Sequence, residues 1–486
     1  MRAENNNSLK LNMVLNAIKG IMRIVFPLIS FPYVSRILGV DNIGKYNFAS
    51  SIISYFLLLA GLGISTYAIR EGAKIREDNA SFENFACQIF TINVISTGIS
   101  YLLLVILMIT VGKFRNYWSL LAVLSLQIAF TTIGIDWLYS IYEDYLYITI
   151  RSIIFQLLSL LALFAFVKNG NDLVLYAFIS VMACAGSGVL NYIRSRNYCR
   201  IRIVKKVEWR KHLKPILILF AMSVTVTLYV SSDTTILGFL CDDHTVGIYS
   251  VSTKIYTIVK TILSSVLVVS IPRLSAILGQ KAMNEFNAVA SEIYRTLITA
   301  LIPAIVGIIV LRNQIVSIIS GSDFLESTSS LVILSAALFF CLGAWFWGQC
   351  ILVPLNEENT VFKITVISSL TNIALNFLLI PLWQENAAAF TTLIAEAISF
   401  GGCAFFGKKN VNLVGVMETG IKVLVGCIGI IFVSLGVMKV IQNTYVCTLV
   451  TICLAVFVYF AIEILLKNKE VWSILNAVQT RIGEYK

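Results

Sequence analysis

DLVLYAFISVMACAGSGVLNYI (172–193) runs directly into RSRNYCRIRIVKKVEWRKHLK (194–214), and apolar sequence then resumes as far as residue 239. The first stretch carries one charge, Asp172, at its very start. It is long enough to cross a bilayer as an α-helix, which takes ~20 residues. The second stretch sets nine Lys and Arg against one acid, Glu208. Lys and Arg collect on the cytoplasmic side of membrane helices. Span, basic loop and span therefore read as a membrane chain turning on its inner side. The plain reading of the loop is an anchor at the joint between two helix bundles. A compatible reading is an amphipathic segment lying on anionic headgroups.

The rest of the chain agrees. Of its 486 residues, 58% are apolar and 13% are charged, against ~25% charged in an average soluble domain. Mean hydropathy is +0.85. These values exclude a soluble globular protein, a nucleic-acid-binding domain and a disordered chain, so the net charge of +11 speaks of topology and not of a nucleic-acid partner. The ten Cys form no C-x-x-C pair. Most lie in apolar runs (Cys184, Cys341, Cys403, Cys427, Cys453), where a thiol acts as a small apolar group. With two His, His212 and His244, neither a disulfide framework, a metal site nor a cofactor is expected. The apolar run 11–35 is too long for a signal peptide and reads as a first span with the N-terminus in the cytoplasm.

Apolar runs predict fourteen spans: 11–35, 43–66, 85–111, 117–141, 146–167, 172–193, 214–239, 247–271, 296–311, 328–353, 361–383, 386–406, 418–439 and 443–466. The shortest, 296–311, precedes a polar segment (312–328). With the N-terminus inside, the inner loops and tails hold 24 Lys and Arg and the outer segments seven. That ratio places both termini in the cytoplasm.

The chain also carries a trace of repetition. A shift of 203 residues lays Ile43-Gly44-Lys45-Tyr46 on Val246-Gly247-Ile248-Tyr249, Ile52 on Ile255 and Arg70 on Arg273. Each Gly-x-Tyr opens an even-numbered span, and each Arg closes it on the inner side as a repeat-related cytoplasmic gate. Two six-helix halves in the same orientation follow. The expected divisions are a first lobe with the basic loop at 1–212, a second lobe at 213–411, and two further helices with a tail at 412–486.

Arg36-Ile-Leu-Gly39 through Tyr46, Leu62-Gly63-Ile64 through Tyr67-Ala68-Ile69-Arg70-Glu71, Val246-Gly247-Ile248-Tyr249, Pro272-Arg273, and Pro354-Leu355-Asn356 with Asn372 and Asn376 together resemble the Wzx-type polysaccharide repeat-unit flippases. These belong to the multidrug/oligosaccharidyl-lipid/polysaccharide exporter superfamily. The resemblance implies an all-α integral membrane protein with two six-helix lobes in a V and two C-terminal helices. It implies carriage of a polyprenyl-pyrophosphate oligosaccharide (O-antigen, capsule or exopolysaccharide) to the outer leaflet by alternating access, in the bacterial cytoplasmic membrane. Polysaccharide polymerase and chain-length machinery are the implied protein partners. In related peptidoglycan-precursor flippases the two extra helices form a groove for the polyprenyl tail.

Charges inside membrane helices cost ~2.5–3.5 kcal/mol each on insertion scales, so they mark function. Lys19 and Arg23 are four residues apart and share a face of span one, which suits a pyrophosphate. For Lys19 the plainer reading is snorkelling to the headgroups. Lys254 and Lys260, in span eight, are six apart and do not share a face. Asp136, Asp233 and Glu396 read as buried acids, either structural ion-pair partners or carboxylates that bind a proton or cation during transport. Trp137, Trp345 and Trp347 read as packing or belt residues. A cation-coupled multidrug antiporter of the same superfamily is the nearest rival, with twelve spans and fewer cavity cations. A membrane polymerase or glycosyltransferase would carry a large outer loop, and the longest outer segment here is 312–327. No GxxxxGK[ST] is present, so no ATP site is expected.

Overall fold

A computed structural model describes residues 2–280, 282–473 and 476, with side chains from Val25 onward and at Gly20 and Met22. Among the described residues all regular structure is helical. Twelve segments are long and apolar enough to cross a membrane. Two of these are double-length, Val25–Ile75 and Glu358–Gly407. The first breaks at Gly39 (φ 76, ψ 175) and the second at Gln384 (φ 51, ψ −127), where the sequence reading places connections between spans. Each is long enough for two passes joined by one or a few residues, so the twelve described segments approximate the expected fourteen spans.

The chain resolves into two compact units, 1–247 and 248–486. Unit 1 contains α1 (Arg2–Gly61), α2 (Ile64–Ile75), α3 (Asn79–Thr110), α4 (Trp118–Gly134), α5 (Asp136–Ile141), α6 (Tyr145–Phe166), α7 (Leu173–Ala185), α8 (Gly188–Arg194), α9 (Trp209–Leu240) and the first turn of α10 (Asp243–Gly279). Unit 2 holds the rest of α10, with α11 (Met283–Val310), α12 (Arg312–Ile319), α13 (Ser327–Trp345), α14 (Glu358–Gly407), α15 (Val416–Val440) and α16 (Thr444–Leu465). A seven-residue π-helical stretch, Phe346–Leu352, follows α13. The sequence reading gives α9 to the second half. By contact it belongs with α1, through hydroxyls such as Ser54 and Ser231 at 3.1 Å.

Local chemistry sets the ends. Asp78 caps α3 by accepting from the backbone N–H of Ala80 and Ser81, satisfying donors that no helix can. Asn443 does the same for α16. Gly63 opens α2 in the left-handed region (φ 72). The predicted fourth span is not continuous: Ile135 takes φ 38 and splits it into α4 and α5. Large apolar side chains stand outward along α3, α9, α10, α15 and α16, with Val269, Met417, Val440 and Leu465 at 78–81% exposure. Such a surface is untenable in water and natural in lipid.

The basic loop of unit 1 is an irregular strap, not a helix, over 199–207. It is pinned at intervals: the Ile201 carbonyl accepts from Tyr192, the Val204 N–H donates to Thr91, and the Glu208 N–H donates to Gln88. Cys199 and Ile201 are buried while Arg200 and Arg202 are exposed. The alternation covers 199–202 and stops at Ile203, which is 65% exposed.

Candidate functional site

In unit 2 a lysine and a buried glutamate of the predicted spans come together. Tyr256 and Lys260 lie one turn apart on α10, so both reach the same neighbour. That neighbour is Glu396 on the second arm of α14. Lys260 Nζ stands 3.9 Å from Glu396 Oε1, with side chains 35% and 6% exposed. The Tyr256 hydroxyl donates to the same oxygen at 3.3 Å. Cys341, on α13, is within hydrogen-bond reach of Lys260 and Tyr256. The two arms of α14 are stitched by Thr391, which donates to Asn376, and by Ser399, which donates to Ser368 at 2.8 Å, while Asn376 donates to Asn372 of its own arm at 3.2 Å. The stitching holds Glu396 in place. Lys254 is half-buried on the same helix.

The other sequence-predicted residues lie apart from this cluster. Lys19 and Arg23 fall outside the described side chains. Asp233 is 7% exposed on α9, on the helix whose Ser231 and Thr235 bond Ser54, Ser51 and Tyr55 of α1. It belongs to unit 1 by contact, not with Glu396. Asp136 is not a buried acid. At the break before α5 its side chain is 64% exposed, pairing with Arg151 at 3.2 Å and accepting from Asn191. Arg70 is half-exposed and pairs with Glu71 at 2.9 Å, and Arg273 is exposed.

Sequence reasoning missed a third acid. Glu463, near the C-terminal end of α16, is fully buried. Its Oε2 accepts from Asn468, and its Oε1 has no hydrogen-bond partner among the described residues. The signal is present in the sequence: FAIEILL (460–466) is one acid inside the apolar run that predicts the span 443–466. Nearby Arg295 of α11 binds Glu470 and the Val414 carbonyl, and the Tyr459 hydroxyl donates to the Thr299 carbonyl. These contacts bind α15 and α16 to α11.

Along the same helices runs an open groove of about 410 Å³, whose walls include Pro303, Gly307, Ile430, Ile452, Val456 and Phe460. Its lining is almost wholly apolar. Only Thr299, Ser434 and Tyr459 bring hydroxyls to it.

The comparisons with known proteins agree with this architecture. The chain is 22% identical over 427 residues to a candidate O-antigen transporter of Escherichia coli (strain K12), covering 84% of this chain and 99% of the relative. It is 22% identical to the capsular polysaccharide biosynthesis protein CapF of Staphylococcus aureus, covering 76% and 91%. The lipid II flippase MurJ, in an inward closed conformation, superposes with a TM-score of 0.73 at 16% identity, over 94% of this chain and 99% of that one; the fold is shared. The model of the polysaccharide biosynthesis protein family matches residues 9–278, more than half of the sequence, and the chain belongs to that family.

Proposed function

We propose that this protein is a flippase that carries polyprenyl-pyrophosphate-linked oligosaccharide units from the cytoplasmic to the outer leaflet, for building a cell-surface polysaccharide. The observation that carries the reading is the apolar groove on α10, α11, α12, α15 and α16. A polyisoprenoid chain is a long hydrocarbon that gains by burying its surface, and a trough with few polar groups suits it. A small polar or cationic drug needs no such trough. The relatives' names point the same way. In this reading the protein is a transporter and not an enzyme, in the bacterial cytoplasmic membrane with both termini inside. Polymerase and chain-length proteins take up what it delivers.

Lys260, with Lys19, Arg23 and Lys254, supplies positive charge for the diphosphate, which must leave water. Glu396 and Asp233 are the carboxylates that respond to a proton or cation. Arg70 and Arg273 serve the cytoplasmic gate. The experiment is deletion of the gene followed by analysis of lipid-linked intermediates. Accumulation of the complete oligosaccharide-lipid on the inner leaflet is expected. A wild-type pool with normal surface polysaccharide would refute the reading.

A further inference from the structure

Lys260 faces two environments. It lies at the long limit of an ion pair with Glu396, 3.9 Å away, and it keeps 35% of its side chain exposed where the acid keeps 6%. Among the described residues, the titratable groups facing the carboxylate are Lys260 and Tyr256 from α10 and Cys341 from α13. Among these only the lysine carries a positive charge. The acid is thus paired with a cation whose side chain keeps about a third of its surface outside the pair.

We propose that Lys260 is shared. It balances Glu396 while the site is empty and turns to the diphosphate when substrate arrives, so that Glu396 takes up one proton as the anion binds. This rests on the reading of Lys260 as a headgroup contact. The lysine stem is flexible and its ammonium is a point charge without a fixed fork, so the turn needs only side-chain rotation. Once the lysine turns away, Glu396 is a buried charge with the Tyr256 hydroxyl but no cation beside it, and protonation removes that charge. The proton comes from water, forms an O–H bond on the carboxylate, and returns to water when the anion leaves. No electron is transferred. Tyr256, on Oε1, is a positioning residue that keeps the acid oriented toward the lysine.

The sign of the linkage has a consequence for transport. Proton and anion help each other to bind, because coupling is reciprocal. The proton then travels with the substrate and not against it. It lowers the net charge of the loaded protein, and the drive for export comes from consumption of the product outside and from the membrane potential acting on the remaining negative charge.

The test uses the purified full chain and a short-chain prenyl diphosphosugar, a diester whose phosphates do not titrate near neutral pH. Calorimetry in buffers of different ionisation heat reads proton uptake directly. Wild type is expected to take up close to one proton and to bind more tightly as pH falls, by up to about tenfold per pH unit. Glu396→Gln should bind with no uptake and no such slope, and Tyr256→Phe should keep the uptake with a shifted midpoint. Binding by wild type without proton uptake, or uptake that persists in Glu396→Gln, overturns the shared lysine. Unchanged affinity in Lys260→Ala overturns the headgroup reading beneath it.

Discussion

Gly44 and Gly247 pack backbone to backbone. A Cβ on Gly44 would stand 1.7 Å from the Asp243 carbonyl oxygen and 2.9 Å from the Gly247 nitrogen, and a Cβ on Gly247 would stand 2.2 Å from the Val40 carbonyl oxygen. The two glycines are the pair that the 203-residue shift superposes. The motif residue is needed in both copies because each backbone lies in the other's way, which is the use membrane helices make of small residues. Tyr117 binds Asp243, and Lys113 donates to the Phe239 and Cys241 carbonyls. Together these hold the α9–α10 turn against the rest of unit 1.

Gly44→Ala and Gly247→Ala are each expected to destabilise the protein by about 1–3 kcal/mol, the usual cost of overpacking, and to lower transport. Gly436→Ala has nothing within 4 Å of the new methyl and should be neutral or slightly stabilising. Melting temperatures of the detergent-solubilised variants decide it. Wild-type melting in both motif variants would refute the close approach.

Arg23→Ala and Lys260→Ala should cut transport by about tenfold or more, since a charge-assisted hydrogen bond is worth ~1.5–3 kcal/mol. Protein in the membrane should stay at its normal level. Arg23→Lys should keep part of the activity, because the charge survives and the planar fork does not. Complementation of a null strain, set beside immunoblots of the membrane fraction, measures both. Full complementation by the two Ala variants would remove these residues from the substrate path.

Arg295→Ala leaves Glu470, whose side chain is 3% exposed, as a buried charge without its partner. Breaking such a pair from one side costs ~3–5 kcal/mol. Limited proteolysis should then cut in the 408–415 connection as α15 and α16 loosen from α11. Adding Glu470→Gln should recover part of the loss. Equal protease resistance in wild type and Arg295→Ala would show that the clamp is unimportant.

Single Cys probes at Arg196 or Lys408 should react from the cytoplasm alone, and probes at Lys168 or Ser322 from outside alone. All four positions are exposed. Ser195 is a poor probe position, being 2% exposed with its hydroxyl on the Tyr192 carbonyl. Labelling of Lys168 and Arg196 positions from the same side would overturn the topology.

Asp242, in the α9–α10 turn, accepts from the Thr245 hydroxyl and N–H, which hold its carboxyl below the ordinary 3.8. A depressed folded-state value adds stability above the ordinary value, and that contribution is lost as pH falls through the depressed one. Asp242→Asn should therefore melt lower than wild type at neutral pH, by about 1 kcal/mol, and the gap should close in acid below that range. A gap independent of pH would mean that the Thr245 contacts do not act through the charge.

Much was legible in the sequence because the bilayer leaves few choices. Backbone polar groups must be satisfied within each segment, so apolar runs of sufficient length become helices. The paired Gly-x-Tyr motifs, the two single-residue hairpin breaks and the double-length segments that contain them follow from that local pattern. Contacts across distant segments were not legible. That Asp136 is exposed on Arg151 and that Asp233 packs with α1 depend on where a helix breaks and which neighbour it meets. Lys260, Tyr256, Cys341 and Glu396 meet because three helices converge, and Glu463 is fully buried because α15 supplies a glycine, Gly426, whose added Cβ would lie 2.7 Å from its carboxylate. Hydropathy is a sum over neighbours in sequence and fixes what enters the membrane. Which charges share a site is decided by side-chain packing between residues far apart in the chain, and only the tertiary structure carries that.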